Sequence, residues 1–339
     1  MKILLCSHVF APDIGGIETV SALLAAEFSS LGSSVTVVTQ TPGEAVSSNY
    51  AVVRRPSLRK LRALARQADI VFQSNISLRT LLPLLVCGKP IVVTHHTYLT
   101  RVDGRLGWRD HLKRGLLSRC HNISVSKAIA EHLPVKSTVI GNPFESQEFT
   151  AWGAGDRDIQ REKDIVFLGR LVSDKGCDLA LRALALLKAE GICPSFTVIG
   201  DGPQRAALER LAAELHIAAQ VDFRGVVRES RGRELARHTV MVIPSIWAEP
   251  FGLVALEGLA AGCVVAASSV GGLPEAVGPC GLLFPNGDVK AMAAVLKSLI
   301  VDAGLREQLL VERDRHLQRF QPGNVAREYL AIFESALSK

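Results

Sequence analysis

Short apolar runs of strand length alternate with helix-like patterns along nearly the whole chain. Nearly continuous apolar strands are typical of parallel sheets that helices cover on both faces. Because the alternation stops at a polar stretch and then restarts, it predicts an α/β fold with two doubly wound, Rossmann-like parallel sheets facing a central cleft. The expected strands are Lys2–Ser7, Ser34–Thr39, Ala51–Arg54, Asp69–Gln73, Pro90–Thr94, His121–Val125, Thr138–Ile140, Ile165–Gly169, Ser195–Ile199, Val221–Arg224, Val240–Pro244, Cys263–Ala267 and Gly281–Phe284.

The polar stretch from Ala151 to Asp164 contains glycines and charged residues and is the best linker candidate. We therefore expect a first domain over residues 1–150, a linker over 151–164 and a second domain over 165–318. The chain is mainly helical from Asp288 onward, with a break at Gln321–Gly323. Residues 319–339 are accordingly expected to form a separate C-terminal helix.

Composition limits the class of protein. A chain of 339 residues with 48% hydrophobic and 21% charged residues is expected to be globular and long enough for two domains. No apolar run reaches the roughly 18 residues of a membrane helix, and residues 1–6 are expected to be a first strand rather than a leader. The seven cysteines lack a C-x-x-C pair, which predicts a reducing cytoplasm rather than disulfides or a zinc site.

The net charge of +6 resides in the first half of the chain. Residues 1–150 contain 17 Lys or Arg against 10 Asp or Glu, concentrated in Arg54–Arg66 and Arg101–Arg119. Basic residues interleaved with apolar ones predict an anionic partner surface such as membrane lipid, and a solvated helix face is the alternative. Nucleic acid is not expected, because no recognition motif accompanies the charge and aromatic residues make up only 5%.

The stretch from Ser245 to Glu257 reads as a strand end, a tight loop and a helix that starts near Gly252. Free N–H groups in the first turn of that helix favour an anion such as a diphosphate. Glu249 and Glu257 lie up to roughly 12 Å apart along it, farther than the about 5–5.5 Å of a retaining glycosidase pair. The spacing suits carboxylates that hold hydroxyls on either side of a phosphate-bearing ligand, or else a loop glutamate and an unrelated surface glutamate.

Two loops in the first half follow expected strands. Gly15 and Gly16 precede a helical pattern, where paired glycines allow a phosphate to rest on backbone N–H groups. They match neither the dinucleotide fingerprint nor a P-loop. His95 and His96 follow an apolar strand, where a histidine either bonds to a ligand or is buried and satisfied by the backbone. Neighbouring strand residues point to opposite faces, so a shared zinc ion is not expected.

Two loops in the second half also follow expected strands. Arg170 and Lys175 bracket a strand-to-helix loop, and they either neutralise a diphosphate or are ordinary loop cations. The turn at Gly200–Pro203 is expected to shape the cleft, with its proline starting a helix. The D-R-D sequence at 156–158 matches a D-x-D metal pattern. It lies in the polar stretch without a preceding strand, and no metal site is expected there.

Taken in order, these loops resemble those of the retaining glycosyltransferases of family four, also called group 1, which have the GT-B fold. The resemblance covers nearly the whole chain, because it also includes Phe223–Gly225 and Ser269–Glu275. Any one loop is a weak signal, whereas this many in the same order are a specific one.

The resemblance implies a role for each matching residue in binding a nucleotide-sugar donor. The implied contacts with the diphosphate come from Gly15, Gly16, Arg170 and Lys175. Those with the transferred sugar come from Glu249, from backbone N–H groups at Phe251, Gly252 and Leu253, and from His96 rather than His95. Glu257 would bind the ribose, Arg224, Gly225 and Val226 would pass near the base, and Gly200 would lie in the same site. His96, Arg170, Lys175 and Glu249 are the implied catalytic residues.

The resemblance also implies a reaction. A hexose-type sugar would move with retention from a nucleotide-diphosphate sugar, UDP-sugar favoured and GDP-mannose next, to a glycan, lipid-linked or small-molecule acceptor. No cofactor or metal is expected. The second domain would bind the donor, the first would bind the acceptor, and the C-terminal helix would cross back to the first. The basic surface on the acceptor side then predicts cell-surface polysaccharide or glycolipid synthesis by an enzyme peripheral to the inner face of the membrane.

Two other classes of function remain open. A related enzyme on the same fold, such as a sugar phosphorylase or an epimerase, would use the same cleft. A catalytically silent nucleotide-sugar-binding protein would keep the cleft without turnover, although retention of Arg170, Lys175, Glu249 and Glu257 argues against it. Residues Thr97–Trp108 are expected either to line the acceptor pocket or to form a mobile loop.

Overall fold

The computed structural model describes residues 1–13, 15–43, 49–99, 107–150, 161–227 and 230–338. Residues 151–160 of the linker expected at 151–164, with its D-R-D sequence, and Arg101 lie outside the described residues. The strands are β1 (Lys2–Ser7), β2 (Ser34–Thr39), β3 (Ala51–Arg54), β4 (Ile70–Ser74), β5 (Ile91–His95), β6 (His121–Ser124), β7 (Thr138–Val139), β8 (Lys163–Leu168), β9 (Phe196–Ile199), β10 (Val221–Gly225), β11 (His238–Ile243), β12 (Val264–Ser268) and β13 (Gly281–Phe284).

These strands form two separate sheets in which each strand pair is parallel. The order is β3-β2-β1-β4-β5-β6-β7 in the first sheet and β10-β9-β8-β11-β12-β13 in the second. In each sheet the second and third strands in chain order lie on one side of the first strand. The fourth strand pairs with the other side of the first strand, and the later strands follow outward from it. The predicted pair of doubly wound Rossmann-like sheets is therefore confirmed. In such sheets a ligand binds at the carboxyl ends of the strands, where the order reverses.

Helices connect most of the strands and cover both sheets. They are α1 (Gly16–Ser30), α2 (Leu58–Gln67), α3 (Leu78–Leu85), α4 (Trp108–Leu116), α5 (Lys127–His132), α6 (Ser146–Thr150), α7 (Cys177–Ala189), α8 (Arg205–Glu214), α9 (Arg231–Ala236), α10 (Leu253–Ala260), α11 (Leu273–Val277), α12 (Val289–Val301), α13 (Ala303–Leu310), α14 (Arg313–Gln318) and α15 (Pro322–Leu337). The helix expected to start at Pro203 starts two residues later, because the Arg205 N–H first closes a turn on the Gly202 carbonyl and Gln204 donates its N–H to the distant Leu171 carbonyl.

The chain divides into two compact units, one of residues 1–144 with 320–339 and one of residues 145–319. The division falls at residue 144 rather than at the expected 150. Its physical reason is an ion-pair cluster within the second unit, in which Arg231 on α9 contacts Glu145 at 3.3 Å and Glu148 at 2.8 Å. These contacts tie α6 to α9.

The last helix, α15, completes the core of the first unit. Its Tyr329 and Phe333 pack against Phe28 of α1 and Phe72 of β4, with ring centroids 5.3–6.2 Å apart. All four side chains are fully buried. Thr94 of β5 also donates a hydrogen bond of 3.2 Å to the Tyr329 hydroxyl. Aromatic side chains bury a large area each, so this cluster is a major part of the unit's stability.

Gly200 is a position where the backbone of the second unit admits only glycine. Its φ is +140°, and a Cβ atom built there would collide with the Gly169 carbonyl. We expect Gly200→Ala to destabilise the unit by more than about 3 kcal/mol, because backbone strain and the collision add. Gly191→Ala is the matched control, since its φ is +80° but no atom lies within 4 Å of the added methyl group. It should cost only about 1–2 kcal/mol. Urea unfolding measures both, and equal costs would contradict the steric argument.

Candidate functional site

The loops that follow β8 and β11 meet where the order of the second sheet reverses. Lys175 ends a short 3₁₀ helix at Ser173–Lys175, and its Nζ lies 2.5 Å from Glu249 Oε1. The two side chains are only 23% and 15% exposed. The Ser245 hydroxyl donates to the same carboxylate oxygen at 2.8 Å. The structure thus brings together two of the predicted catalytic residues, in an ion pair partly shielded from solvent.

Backbone hydrogen bonds hold both members of this pair in place. The Asp174 carbonyl accepts N–H bonds from Ile246 and Trp247, which fasten the lysine loop to the glutamate loop. The Glu249 carbonyl accepts one from Gly272 at 2.7 Å, which ties in the loop that follows β12. The ion pair is therefore anchored on three loops at the carboxyl edge of one sheet.

Helix α10 begins directly after Glu249, as the sequence predicts. Gly252 is its N-cap with φ +109°, and Leu253 is its first residue. No side chain caps this terminus, although the Ala255 N–H already donates to the Gly252 carbonyl at 3.0 Å. A helix terminus without a side-chain cap favours an anion. Phe251 is buried beneath this turn at 3% exposure. The diphosphate roles predicted for this turn stay predictions, and the geometry needed for them is present.

The other predicted donor residues of the second unit lie at the same edge of the sheet. Arg170 is exposed in the loop after β8. Gly200 donates its N–H to the Gly225 carbonyl at 2.8 Å, which joins the ends of β9 and β10. Arg224 pairs with Asp222 at 3.1 Å, and Val226 is 61% exposed. An exposed apolar side chain beside a cation is a suitable surface for a nucleotide base, and this role stays a prediction.

Glu257 does not share the surroundings of Glu249. It lies one turn inside α10 in the electrostatic reach of Arg231, Glu148 and Glu145. Burial raises the pKa of the Glu257 carboxyl to about 7, Arg231 opposes that rise, and the two other glutamates add to it. Burial lowers the pKa of Arg231, but its hydrogen bond to Glu148 and the charges of the three glutamates outweigh this and leave it raised. Glu257 is thus a carboxyl group that titrates near neutrality.

In the first unit, the paired glycines open helix α1. Gly15 is its N-cap in extended backbone and Gly16 is its first residue. The Glu18 carboxyl group lies directly over Gly15 and occupies the space that a Cβ atom would fill. The anion now beside this helix terminus therefore belongs to the chain itself, and a phosphate at the predicted position would displace it.

His96 ends a hydrogen-bonded row of three buried serines. Its Nε2 lies 3.3 Å from the Ser74 hydroxyl, which lies 2.7 Å from that of Ser21, which lies 3.3 Å from that of Ser7. Ser7 in turn donates to the Val9 carbonyl at 2.6 Å. The row connects the loop after β1, helix α1, the end of β4 and the loop after β5.

The direction of this row fixes the tautomer of His96. A carbonyl oxygen can only accept a hydrogen bond, so Ser7 donates its one hydroxyl proton to the Val9 carbonyl. Ser7 must then accept from Ser21, Ser21 from Ser74, and Ser74 from the Nε2–H of His96. Burial, and to a lesser degree His95, lowers the pKa of His96 to about 3 against a smaller opposing contribution from Asn142. His96 is therefore a neutral imidazole whose Nδ1 carries a lone pair.

The second nitrogen of His96, Nδ1, is buried, and Asn142 is a further polar side chain that acts on this imidazole. His96 is 5% exposed, and its Nδ1 has no hydrogen-bond partner among the described residues. Buried polar atoms are seldom left unpaired. An imidazole nitrogen in this form accepts a hydrogen bond from a hydroxyl group. His95 Nε2 lies 3.0 Å from the Asn122 side-chain oxygen, and its Nδ1 likewise has no hydrogen-bond partner among the described residues.

Three features of the site were missed by sequence reasoning. They are the Ser245 hydroxyl on Glu249, the Arg231 cluster around Glu257, and the serine row behind His96. Only Ser245 carried a signal, because it lies four residues before Glu249 in the same loop. Among the described residues, no group of three or more His, Cys, Asp or Glu is arranged to hold a metal ion. No helix in the same part of the chain combines the length and apolar character needed to cross a membrane.

Comparisons with known proteins agree on the architecture. Two family models match, "Glycosyl transferases group 1" over residues 156–312 and "Glycosyltransferase Family 4" over residues 14–142. The crystal structure of Anabaena Alr3699/HepE in complex with UDP aligns with a TM-score of 0.82 over 99% of this chain and 100% of that one, at 19% identity. The two sheets and this likeness define a protein of the GT-B fold.

Two curated relatives extend the match. An uncharacterized glycosyltransferase of Methanocaldococcus jannaschii is 30% identical over 64% of this chain and 60% of its own length. A D-inositol 3-phosphate glycosyltransferase of Acidothermus cellulolyticus is 37% identical over 52% of this chain and 41% of its own length. The chain thus spans about half the length of the curated relatives it matches. With the two models covering both units, the chain belongs to the group 1 glycosyltransferase family.

The serine row predicts an observable tautomer. In ¹⁵N-detected NMR of the histidine side chains, we expect His96 to show a protonated Nε2 and a bare Nδ1 at every pH from about 5 to 8, because its pKa lies far below this range. Ser74→Ala removes the acceptor of the Nε2 proton and should give a mixture of tautomers. Ser124→Ala removes another buried hydroxyl, paired with Ser137, and should leave the His96 signals unchanged. A protonated Nδ1 in the unaltered protein would refute the deduced direction.

Glu257 predicts a pH-dependent effect on stability. Its folded pKa of about 7 exceeds the ordinary 4.5, so its favourable contribution is complete below pH 4.5 and lost as pH rises through 7. Glu257→Gln keeps the shape and avoids the buried charge. We expect it to raise the free energy of unfolding at pH 8 by about 1–2 kcal/mol and to change it little at pH 5. Glu148→Gln, on the surface of the same cluster, should show no such gain, and equal effects at both pH values would exclude a titrating Glu257.

Proposed function

We propose that this chain is a retaining glycosyltransferase that moves a hexose-type sugar from a nucleotide-diphosphate sugar to an acceptor hydroxyl. The observation that carries the proposal is the shielded pair of Lys175 and Glu249 beside the uncapped start of α10. A diphosphate offers Lys175 a replacement for the carboxylate, and the sugar hydroxyls then become the partners of Glu249. In this arrangement one site binds both the sugar and the diphosphate, the two groups joined by the bond that breaks.

The chemistry of the transfer fits these groups. The bond between the anomeric carbon and a phosphate oxygen breaks, a bond to the acceptor oxygen forms, and the acceptor proton is released as the nucleoside diphosphate departs. Positive charge develops on the sugar and negative charge on the departing phosphate. Lys175, Arg170 and the first turn of α10 stabilise that negative charge, which is the main demand of the reaction. Neutral His96 accepts a hydrogen bond from a hydroxyl of the transferred sugar without adding a competing positive charge.

A UDP-sugar is the favoured donor, with GDP-mannose next. The likeness to a structure that contains UDP-glucose supports the first. A relative described as a GDP-mannose-dependent alpha-(1-6)-phosphatidylinositol monomannoside mannosyltransferase, from Mycolicibacterium smegmatis, supports the second. We further propose that the transfer needs no metal ion and that it serves cell-surface polysaccharide or glycolipid synthesis at the inner face of a membrane. Arg59, Arg62 and Arg66 on the exposed face of α2 support that location.

A thermal-shift panel with UDP, GDP, ADP and their common sugar conjugates, each with and without magnesium, tests the donor. We expect stabilisation by one nucleotide series with no requirement for magnesium. Stabilisation by inorganic phosphate and sugar phosphates alone would contradict the proposal and favour a phosphorylase.

Lys175→Ala tests the role of the ion pair in transfer. With the assigned donor, we expect the rate of nucleoside diphosphate release to fall by about 10²-fold or more, since a charge aimed at the leaving phosphate is lost. The variant should still fold, with a lowered melting temperature because Glu249 loses its charge partner. Lys290→Ala removes an exposed lysine of the same unit on α12 and should leave the rate unchanged. An unaltered rate in Lys175→Ala would remove this lysine from the mechanism.

A further inference from the structure

A cavity of about 640 Å³ lies in the first unit between helices α3 and α4. This volume is typical of small-molecule sites. Ser74 forms part of its wall, and the Ser74 hydroxyl also contacts His96 Nε2. The cavity therefore adjoins the residue that we place beside the transferred sugar.

One side of the cavity is apolar and open to solvent. Leu82 on α3 is 44% exposed, and Trp108 and Leu112 on α4 are 70% and 37% exposed. Trp108 and Leu112 are spaced four residues apart, so they share one face of α4. That helix has no fully buried residue. The apolar face of α4 thus borders an unfilled cavity instead of packing into the core.

The other lining groups are cationic. Arg79, Arg109 and Lys113 line the cavity, and none of the described lining residues is a carboxylate. Neither Arg79 nor Lys113 has an ion pair with any residue that the structure describes, while Arg109 lies over the Trp108 ring at 5.2 Å. Three positive charges for which the described residues supply no ion-pair partner favour an anion. Ser77, Leu78 and Arg79 of the same wall stand at the N-terminal turn of α3, whose dipole adds to that preference.

We propose that the α3–α4 cavity is the acceptor site and that it takes a lipid phosphate, with the phosphate on Arg79, Arg109 and Lys113 and the first part of the apolar chain on Leu82, Trp108 and Leu112. This assignment rests on the proposed glycosyl transfer. A purely hydrophilic phosphate would use the cations but leave the apolar wall in water. A neutral lipid would leave the three charges unmatched.

Calorimetric titration with short-chain lipids below their micelle concentration tests this directly. Dihexanoyl phosphatidylglycerol is the probe, glycerophosphoglycerol is its match without chains, and dihexanoyl phosphatidylcholine is its match without net charge. We expect the probe to bind about tenfold or more tightly than either match. Equal affinity for glycerophosphoglycerol would overturn the lipid assignment in favour of a water-soluble phosphate. Equal affinity for phosphatidylcholine would overturn the role of the charges, and no binding would overturn the site.

Two double variants locate the binding. Arg79→Ala with Lys113→Ala should weaken binding of the probe by about tenfold or more. Lys127→Ala with Arg327→Ala removes the same charge from exposed positions of the same unit on α5 and α15, outside the cavity, and should change it less than about twofold. Equal losses in both variants would assign the binding to overall charge and overturn the site. The thermal shift with the nucleotide should be unchanged in both, because Lys175 and Glu249 lie in the other unit.

Transfer to lipids tests the acceptor role. With the assigned donor, a panel of short-chain lipid phosphates that carry hydroxyl-bearing headgroups should yield at least one product with one added hexose by mass spectrometry. The Arg79, Lys113 variant should raise the KM for that lipid more than it lowers kcat. Transfer only to water-soluble acceptors would overturn this inference and leave the proposed function standing. Lipid binding without nucleotide binding or any transfer would overturn both the acceptor role and the proposed function.

Discussion

The ion pair of Lys175 with Glu249 is the contact around which the second unit arranges its site. Each side chain is partly shielded from water, so removing either one leaves the other as an uncompensated charge. The carboxylate keeps the ammonium group in position, and Ser245 keeps the carboxylate in position. In the proposed reaction, a diphosphate that replaces the carboxylate would meet a lysine already held in position. The reacting site is thus organised before its ligand arrives, as electrostatic catalysis requires.

In the first unit, uncharged serine hydroxyls hold the predicted site residue His96 in position. The serine row places the imidazole proton of His96 on Nε2 and leaves Nδ1 unprotonated. In the proposed reaction, a protonated imidazole would add positive charge beside a sugar that itself becomes positive. Burial prevents this by lowering the pKa of His96 to about 3. Lys175 and His96 thus differ in kind, one a charged side chain held by a carboxylate and the other a neutral imidazole held by hydroxyl groups.

The sheets could be predicted from the sequence because their strands are short, apolar and buried on both faces. The bounds of β1, β2, β3 and β13 agree with those expected. β11 starts earlier than expected, at His238, because this polar residue is buried through bonds of 2.8 Å to Thr197 and to the Glu234 carbonyl. Hydrophobicity alone cannot reveal a polar residue whose partners come from other elements.

The order of the motifs along the chain predicted which residues form the candidate site. It did not predict the contacts that hold those residues in place. Ser7 and Ser21 are 14 residues apart, and Ser21 and Ser74 are 53 apart. A serine is so common that no spacing marks such a row. The position of residues 145–150 was also hidden, because Glu145 and Glu148 look like linker residues until Arg231 is placed beside them. Long-range polar pairing is a property of the folded chain and leaves no local pattern.

The place of α15 has a consequence for how this chain is made. Residues 1–144 are synthesised before residues 145–319, yet Phe28 and Phe72 find their partners Tyr329 and Phe333 only after both stretches have been made. The unit that is synthesised first is thus the one that is completed last. Residues 145–319 form their own compact unit and can finish folding while the earlier segment still exposes aromatic surface. During synthesis that exposed surface is the part of the nascent protein most in need of a chaperone.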